Sequence, residues 1–265
     1  MESASVLISL YENVDLFLFV FVRILGLFII LPVFSGQNIP AQVRIALAAG
    51  IALISTMNGQ IASPVYTESV VGLGLLLAQE FLTGFIIGFT VYLLFAVFYF
   101  VGQLVDFQIG FSMVSVYDPV SQIQAPITGN LYYLIICAFF IITGGLHHLL
   151  YELVMSYQVV PIGGGQVLSN SALMSYLVGM MVDYLTIGVK IAMPVVGAII
   201  VVDVALGVLV KASPQMNVFV VGMPIKVFIG LVVLMITIAA VPDVYAYVYN
   251  TMMKYVTNII RGLVP

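Results

Sequence analysis

Long apolar runs constrain this chain more than any other feature of its sequence. Several runs of eighteen or more residues carry almost no charge, and a helix needs about that length to cross a bilayer. Of the 265 residues, 63% are hydrophobic and 7% are charged, against about 25% charged in soluble domains. We therefore predict an all-α, polytopic integral membrane protein rather than a barrel of short alternating strands. The net charge of −4 leaves no basic surface for nucleic acid.

The central segment, Asp106 to Gln124, is a polar stretch between two of the longest apolar runs. It contains two carboxylates, three glutamines, a glycine and a proline. Lipid cannot satisfy the backbone of such a stretch, so at membrane depth it must line a cavity or pack against protein. We interpret it as a segment that closes a pore, with Phe111 and Met113 contributing a deformable apolar seal.

Two other runs are too long for one simple crossing. Ser69 to Val101 would measure about 50 Å as a helix, against about 30 Å of hydrocarbon, so we expect it to project beyond the membrane or to break. Met174 to Val210 is also too long, and we expect a kink at Pro194. The remaining runs are Val14 to Phe34, Ile45 to Met57, Leu131 to Ile142 and Val218 to Val241.

The distribution of Lys and Arg fits six spans with the N-terminus outside, except for Lys254 and Arg261 in the tail. A linker is expected after His147, and it leads to the stretch richest in turn-forming residues, Pro161 to Asn170. That stretch is the best internal boundary. We therefore expect two parts, residues 1–165 and residues 166–265.

Five charged residues lie inside apolar runs: Arg23, Glu80, Asp183, Lys190 and Asp203. Each would cost about 2.5–3.5 kcal/mol near the bilayer centre, so they must face protein, water or headgroups. An ion or proton relay and plain polar contacts with neighbouring helices or subunits both fit this pattern. The charges are dispersed along the chain, which favours polar contacts.

Gly84 and Gly88 form a GxxxG motif in the third run. This spacing lets another helix approach closely, because two small residues share one helix face. We therefore expect close helix packing at this position.

The sequence offers little support for an enzyme. It contains no GxxxxGK[ST], HExxH, GxSxG or CxxC motif. Two weaker alternatives remain, a serine-protease dyad of Ser112 with a histidine, and metal ligation by His147, His148 and Glu152. A lone Gly-x-Ser is unspecific, and such histidines are more often interfacial residues at a helix end. We expect no enzymatic activity, no metal and no cofactor.

The run Pro214 to Lys226, PQMNVFVVGMPIK, closely resembles the signature of the FliR family, the flagellar members of the FliR/SctT type III export proteins. Other family motifs agree in order: Arg23 with Pro32, Pro40 and Arg44, then Gly84 to Phe89, Gly102 to Ser112, Asp118-Pro119, and Ser156-Tyr157 leading to Pro161-Ile162-Gly163. Lys211 departs from the usual Arg, which keeps the charge but loses the guanidinium fork. The sequence around His147 also departs from the family pattern, so no role is carried onto the histidines. The ending Gly222-x-Pro224-x-Lys226 looks more like the flagellar branch than the injectisome branch.

The resemblance implies a non-enzymatic subunit of the flagellar export gate, in the bacterial inner membrane at the basal body. Its partners would be FliP and FliQ in a helical assembly partly raised out of the bilayer, FlhB, and the basal-body ring proteins. Its export substrates would be unfolded flagellar subunits. Residues 1–165 would be similar to FliP, and residues 166–265 would form a FliQ-like helical hairpin.

The resemblance also implies roles for individual residues. Gly110 and Pro119 would bound a movable plug within the central segment. The pore and plug residues would be Asp106, Gly110, Phe111, Ser112, Met113, Tyr117, Asp118 and Pro119. Packing between subunits would involve Arg23, Gly84, Gly88, Pro194, Pro214, Gln215, Asn217, Phe219, Gly222, Pro224 and Lys226. Two alternatives stay open, an injectisome homologue and a secondary transporter that couples ions through its intramembrane charges.

Overall fold

The computed structural model describes residues 14–35, 39–59, 61, 70–111, 126–165, 171–213, 215 and 217–263. Within these ranges the secondary structure is helical, which confirms the prediction of an all-α protein. The helices are α1 (Val14–Ile30), α2 (Pro32–Ser35), α3 (Ala41–Met57), α4 (Val70–Ile109), α5 (Ile127–Ile142), α6 (Gly145–Val159), α7 (Ser171–Ala212), α8 (Val218–Ile238) and α9 (Val241–Gly262).

Three of the described helices, α4, α7 and α8, are long and apolar enough to cross a membrane. The pair α5 and α6 makes a fourth if it counts as one span, although its two helices are bent by 65°. This is fewer than the six spans expected from the charge distribution. Helices α1 and α3 have only 17 residues each, which is short for a crossing of about 20 residues.

The two longest helices exceed one bilayer crossing, as predicted. Helix α4 has 40 residues and α7 has 42, or about 60 Å each at 1.5 Å per residue. Helix α4 does not break at Val101 but continues to Ile109, so the central segment begins inside it. Helix α7 runs through Pro194 without interruption.

The linker expected after His147 is wrong, because helix α6 occupies most of it. Its buried residues are Gly145, Leu149, Leu153, Ser156 and Tyr157. They recur at intervals of three and four, which is the spacing of an amphipathic helix. The turn follows only at Val160, where the chain leaves the helix.

The chain forms two compact units. Unit 1 contains residues 1–93, 144–180 and 251–265, and unit 2 contains residues 94–143 and 181–250. Helices α4, α7 and α9 each contribute residues to both units. The division of the chain at residue 165 concerns similarity to two other proteins and stays a prediction.

Each unit has an apolar core of its own. In unit 1, Phe19, Leu27, Ile87 and Leu153 are buried from helices distant in sequence. In unit 2, buried Phe95 of α4 meets Phe140 of α5 edge-on, with ring centroids 5.4 Å apart. These cores hold in place the polar groups described next.

Candidate functional site

The base of the central segment is formed by the end of α4 and the start of α5, both in unit 2. We use the term segment base for Gly102, Asp106 and Gly110 of the α4 side together with Thr128 and Gly129 of α5. Of the residues predicted to form the pore and plug, the structure describes Asp106, Gly110 and Phe111.

Asp106 joins the two sides of the segment base. Its side chain is buried, with 2% exposed, and both carboxylate oxygens accept the backbone N–H of Thr128 at 3.0 and 3.2 Å. A carboxylate at a helix N-terminus satisfies free N–H groups and interacts favourably with the helix dipole. Asp106 therefore caps α5 from α4, although 22 residues separate it from Thr128.

Two glycines bring the backbones of α4 and α5 into contact. A Cβ atom on Gly102 would overlap the backbone of Gly129, and a Cβ atom on Gly129 would lie 3.1 Å from the carbonyl oxygen of Tyr99. Small residues at a crossing allow this approach. The width of the segment base is thus set by backbone atoms.

Gly110 ends helix α4. Its φ of 101° lies in a region that other residues rarely adopt, and its N–H bonds to the carbonyl oxygen of Asp106 at 3.1 Å. Phe111 follows and is partly buried. The other residues assigned to the plug, Ser112, Met113, Tyr117, Asp118 and Pro119, lie outside the described residues.

A second polar cluster in unit 2 lies beside the segment base. Lys226 of α8 forms an ion pair with Asp203 of α7, and Gln108 of α4 donates a hydrogen bond of 3.5 Å to Asp203. The side chains of Lys226 and Asp203 are 25% and 39% exposed. A Cβ atom on Gly230 of α8 would lie 2.6 Å from the side chain of Ile109. The end of α4 therefore packs against α7 and α8.

The other signature residues lie around the turn between α7 and α8. Gln215 and Asn217 are exposed in that turn, Gly222 is buried in α8, and Pro224 is exposed within α8. Pro214 lies outside the described residues. Phe219 belongs to α8, but its side chain is also outside the described set. Among the signature residues, Lys226 joins the polar cluster beside the segment base.

Arg23 is the centre of a separate network in unit 1. Its side chain is fully buried, and its Nε donates to Glu80 Oε2 at 2.6 Å. The terminal nitrogens donate to Ser156 Oγ at 3.1 Å and to the carbonyl oxygen of Val160 at 3.2 Å. The guanidinium also lies 4.0 Å from the ring centre of Tyr157. One side chain thus joins α1, α4, α6 and the turn after α6.

Glu80 and Gln79 complete this network from α4. The second carboxylate oxygen of Glu80 accepts the N–H of Gly163 at 3.1 Å. Gln79 donates to the carbonyl oxygens of Gly163 and Gly165. The partners of Arg23 could not be read from the sequence, because 57 residues separate it from Glu80 and 133 separate it from Ser156.

Gly84 and Gly88 lie where α4 crosses α1 in the same unit. A Cβ atom on Gly84 would overlap the carbonyl oxygen of Arg23. A Cβ atom on Gly88 would lie 2.5 Å from the side chain of Ile30 and 2.9 Å from the carbonyl oxygen of Leu27. These are contacts within one chain. The predicted role of Arg23, Gly84 and Gly88 in packing between subunits stays a prediction.

The arrangement favours structural roles for most of the intramembrane charges. Arg23 pairs with Glu80 in unit 1, and Asp203 pairs with Lys226 in unit 2. In the described part of the chain, no group of three or more His, Cys, Asp or Glu side chains could hold a metal ion. The serine of the hypothetical protease dyad, Ser112, lies outside that part.

Comparison of the sequence with known proteins identifies the family of this chain. A family described as bacterial export proteins, family 1, matches residues 14–252. A flagellar biosynthetic protein FliR from Bacillus subtilis (strain 168) is 29% identical over 253 residues, covering 95% of this chain and 97% of that relative. The FliR protein of Escherichia coli (strain K12) is 25% identical over 250 residues, covering 94% of each chain. The surface presentation of antigens protein SpaR of Shigella sonnei is 27% identical over 238 residues, covering 86% of this chain and 88% of that relative.

Proposed function

Since this chain belongs to the family of bacterial export proteins, family 1, we propose that it is a core subunit of the flagellar type III protein export gate. The gate lies in the bacterial inner membrane at the flagellar basal body. There it forms and plugs the channel through which unfolded flagellar subunits are secreted.

The observation that carries this proposal is the extent of the family match. It runs from residue 14 to residue 252 and so includes the Arg23 network, the segment base and the signature that ends at Lys226. The flagellar relatives from Bacillus subtilis and Escherichia coli also match over nearly their whole length. The function therefore applies to the chain as a whole and not to one module in it.

The geometry of the segment base supports a role for the central segment as the plug. Asp106 ties the end of α4 to the start of α5, and Gly102 and Gly129 bring the two helices into backbone contact. Both ends of the segment are thereby fixed at adjacent points. In the proposed mechanism, Phe111 and Met113 seal the resting channel while this base stays in place.

The partners in the proposal are FliP and FliQ in a hetero-oligomeric gate, FlhB, and the basal-body ring proteins. Helices α7 and α8 support assembly with other helices, because most of their large apolar side chains are exposed. Val201, Val204, Val220, Phe228 and Met235 each have more than 60% of their surface exposed. In a membrane such faces pack against lipid or against other helices.

The similarity to SpaR favours a second candidate, an injectisome export-gate subunit. SpaR from Shigella sonnei is 27% identical to this chain, close to the values for the flagellar relatives. Complementation separates the two candidates. A Bacillus subtilis strain lacking its own FliR should regain swimming motility with this chain if it serves the flagellum. Rescue of injectisome secretion in Shigella without rescue of motility would favour the second candidate.

Assembly tests the proposal directly. A tagged copy is co-expressed with the FliP and FliQ proteins of the same organism, and the recovered material is analysed by native mass spectrometry. We expect one discrete hetero-oligomer that contains all three proteins. A lone or self-associated chain that shows saturable solute uptake in vesicles would instead support the secondary transporter.

A further inference from the structure

Unit 2 contains a cavity to which the proposed export function assigns no role. Its volume is about 500 Å³, within the range of about 300–1,000 Å³ that is typical of ligand sites. Most of its lining is apolar or aromatic. The lining includes Phe98 of α4, Tyr132 of α5, Ile187 and Ile191 of α7, and Val244 of α9.

Two opposite charges border this apolar cavity. Lys190 of α7 and Asp243 of α9 both line it, and both residues are exposed. Among the described residues, neither side chain takes part in an ion pair. The ring of Tyr247 also lines the cavity and is largely exposed. The site therefore presents one cation, one anion and an aromatic ring beside an apolar wall.

Counted along the helices, Lys190 and Asp243 lie about one bilayer thickness from the turn between α7 and α8. Helix α8 has 21 residues, or about 31 Å, close to the hydrocarbon thickness of about 30 Å. Along α7, Lys190 lies 22 residues before Ala212, or about 33 Å. Asp243 and Tyr247 follow the other end of α8, in the first turns of α9. Charged and tyrosine side chains at this distance suit a membrane–water interface.

We propose that this cavity binds a zwitterionic phospholipid of the phosphatidylethanolamine type. The phosphate faces the ammonium of Lys190, and the lipid amine faces the carboxylate of Asp243 and the ring of Tyr247. An acyl chain lies along the apolar wall. An anionic lipid such as phosphatidylglycerol fits less well, because it has no cation to offer Asp243.

The test measures lipid retention by the full chain, purified from the membrane with whatever proteins accompany it. Samples are incubated with equal amounts of deuterated phosphatidylethanolamine and phosphatidylglycerol and washed in detergent. Bound lipid is then counted by native mass spectrometry. We expect phosphatidylethanolamine to be retained about tenfold better, and Lys190→Gln or Asp243→Asn to reduce its retention about tenfold, as loss of one charge-assisted contact predicts.

Two further variants make the test specific. Lys211→Gln removes an exposed lysine from the same helix but away from the cavity, so it should retain lipid as the unchanged protein does. Ala240→Trp fills the cavity from its rim without changing charge and should also lower retention. Equal retention of the two lipids by the unchanged protein would overturn the proposal. So would equal retention of phosphatidylethanolamine by all variants, or an equal loss with Lys211→Gln.

Discussion

Two ion pairs among the described residues are built differently. Arg23 and Glu80 in unit 1 have 0% and 1% of their side chains exposed, and further hydrogen bonds surround both. Lys226 and Asp203 in unit 2 are 25% and 39% exposed, and Gln108 donates a hydrogen bond to Asp203. We call the buried Arg23–Glu80 pair the closed pair and the partly exposed Lys226–Asp203 pair the open pair.

This difference in exposure changes what it costs to displace each pair. Arg23 joins four segments of unit 1, so moving any of them would leave a buried charge without its partners. Asp203 and Lys226 join α7 and α8 beside the segment base, where partial exposure lowers the energy of changing partners. The buried pair should therefore resist displacement more strongly than the partly exposed pair does.

We expect the largest effect from replacing only one partner of the closed pair. Arg23→Met should cost about 3–5 kcal/mol of unfolding free energy, because Glu80 is left buried and unpaired. The midpoint of SDS-induced unfolding in mixed micelles measures this loss. Lys254→Met, an exposed lysine of unit 1, is the control and should change little. Adding Glu80→Leu to Arg23→Met should restore part of the loss, and a further loss would contradict this account.

The crossing of α1 and α4 offers the next test. Gly84→Ala should cost about 1–3 kcal/mol, because the new methyl group overlaps the carbonyl oxygen of Arg23 and forces the helices apart. Gly74→Ala on the same helix meets no atom within 4 Å and is the matched control. The comparison uses the same unfolding midpoint. If the two variants are equally stable, the close crossing does not hold unit 1 together.

At the segment base we expect a smaller loss of stability with a functional readout. Asp106→Ala should cost about 0.5–2 kcal/mol, because α5 loses its cap. It should also raise the permeability of the membrane to small ions in cells that make the assembled gate. Asp106→Asn keeps one acceptor oxygen for Thr128, so its stability and permeability should lie between those of the unchanged protein and of Asp106→Ala. Unchanged permeability with Asp106→Ala in an assembled complex would argue against a link between this cap and the seal.

The open pair should give the smallest effect. Asp203→Asn and Lys226→Gln, alone and combined, should yield a coupling energy of about 0–1 kcal/mol, because solvent screens partly exposed charges. A double-mutant cycle on the unfolding midpoint measures it. A coupling energy as large as that expected for Arg23 and Glu80 would contradict the proposed difference between the two ion pairs.

The sequence predicted the helical fold and marked several residues as unusual. It did not predict which residues they would contact. Apolar runs located α4, α7 and α8, since lipid requires helices of that length. The GxxxG spacing of Gly84 and Gly88 predicted a close approach, but nothing local indicated that α1 of the same chain would be the neighbour. Helix α6 was missed, because its polar face and histidines lower its average hydropathy while its buried face keeps helical spacing.

The candidate site shows the same limit. The polarity of the central segment marked it as unusual, but it did not indicate that Asp106 at its start lies inside helix α4. Its carboxylate finds a partner 22 residues away, and the bond depends on the backbone contact between Gly102 and Gly129. Contacts of this kind are set by tertiary packing, which a pattern of single residues does not contain.

The backbone contact at Gly102 and Gly129 has a mechanical consequence. Where side chains separate two helices, a change of rotamer can widen the gap by small steps at little cost. At Gly102 and Gly129 main-chain atoms meet directly, and they have no rotamers to change. The separation of α4 and α5 at this point is therefore fixed more tightly than at a crossing where side chains lie between the helices. A wider segment base would require the backbones of α4 and α5 to move apart, because no side-chain rearrangement can supply the space.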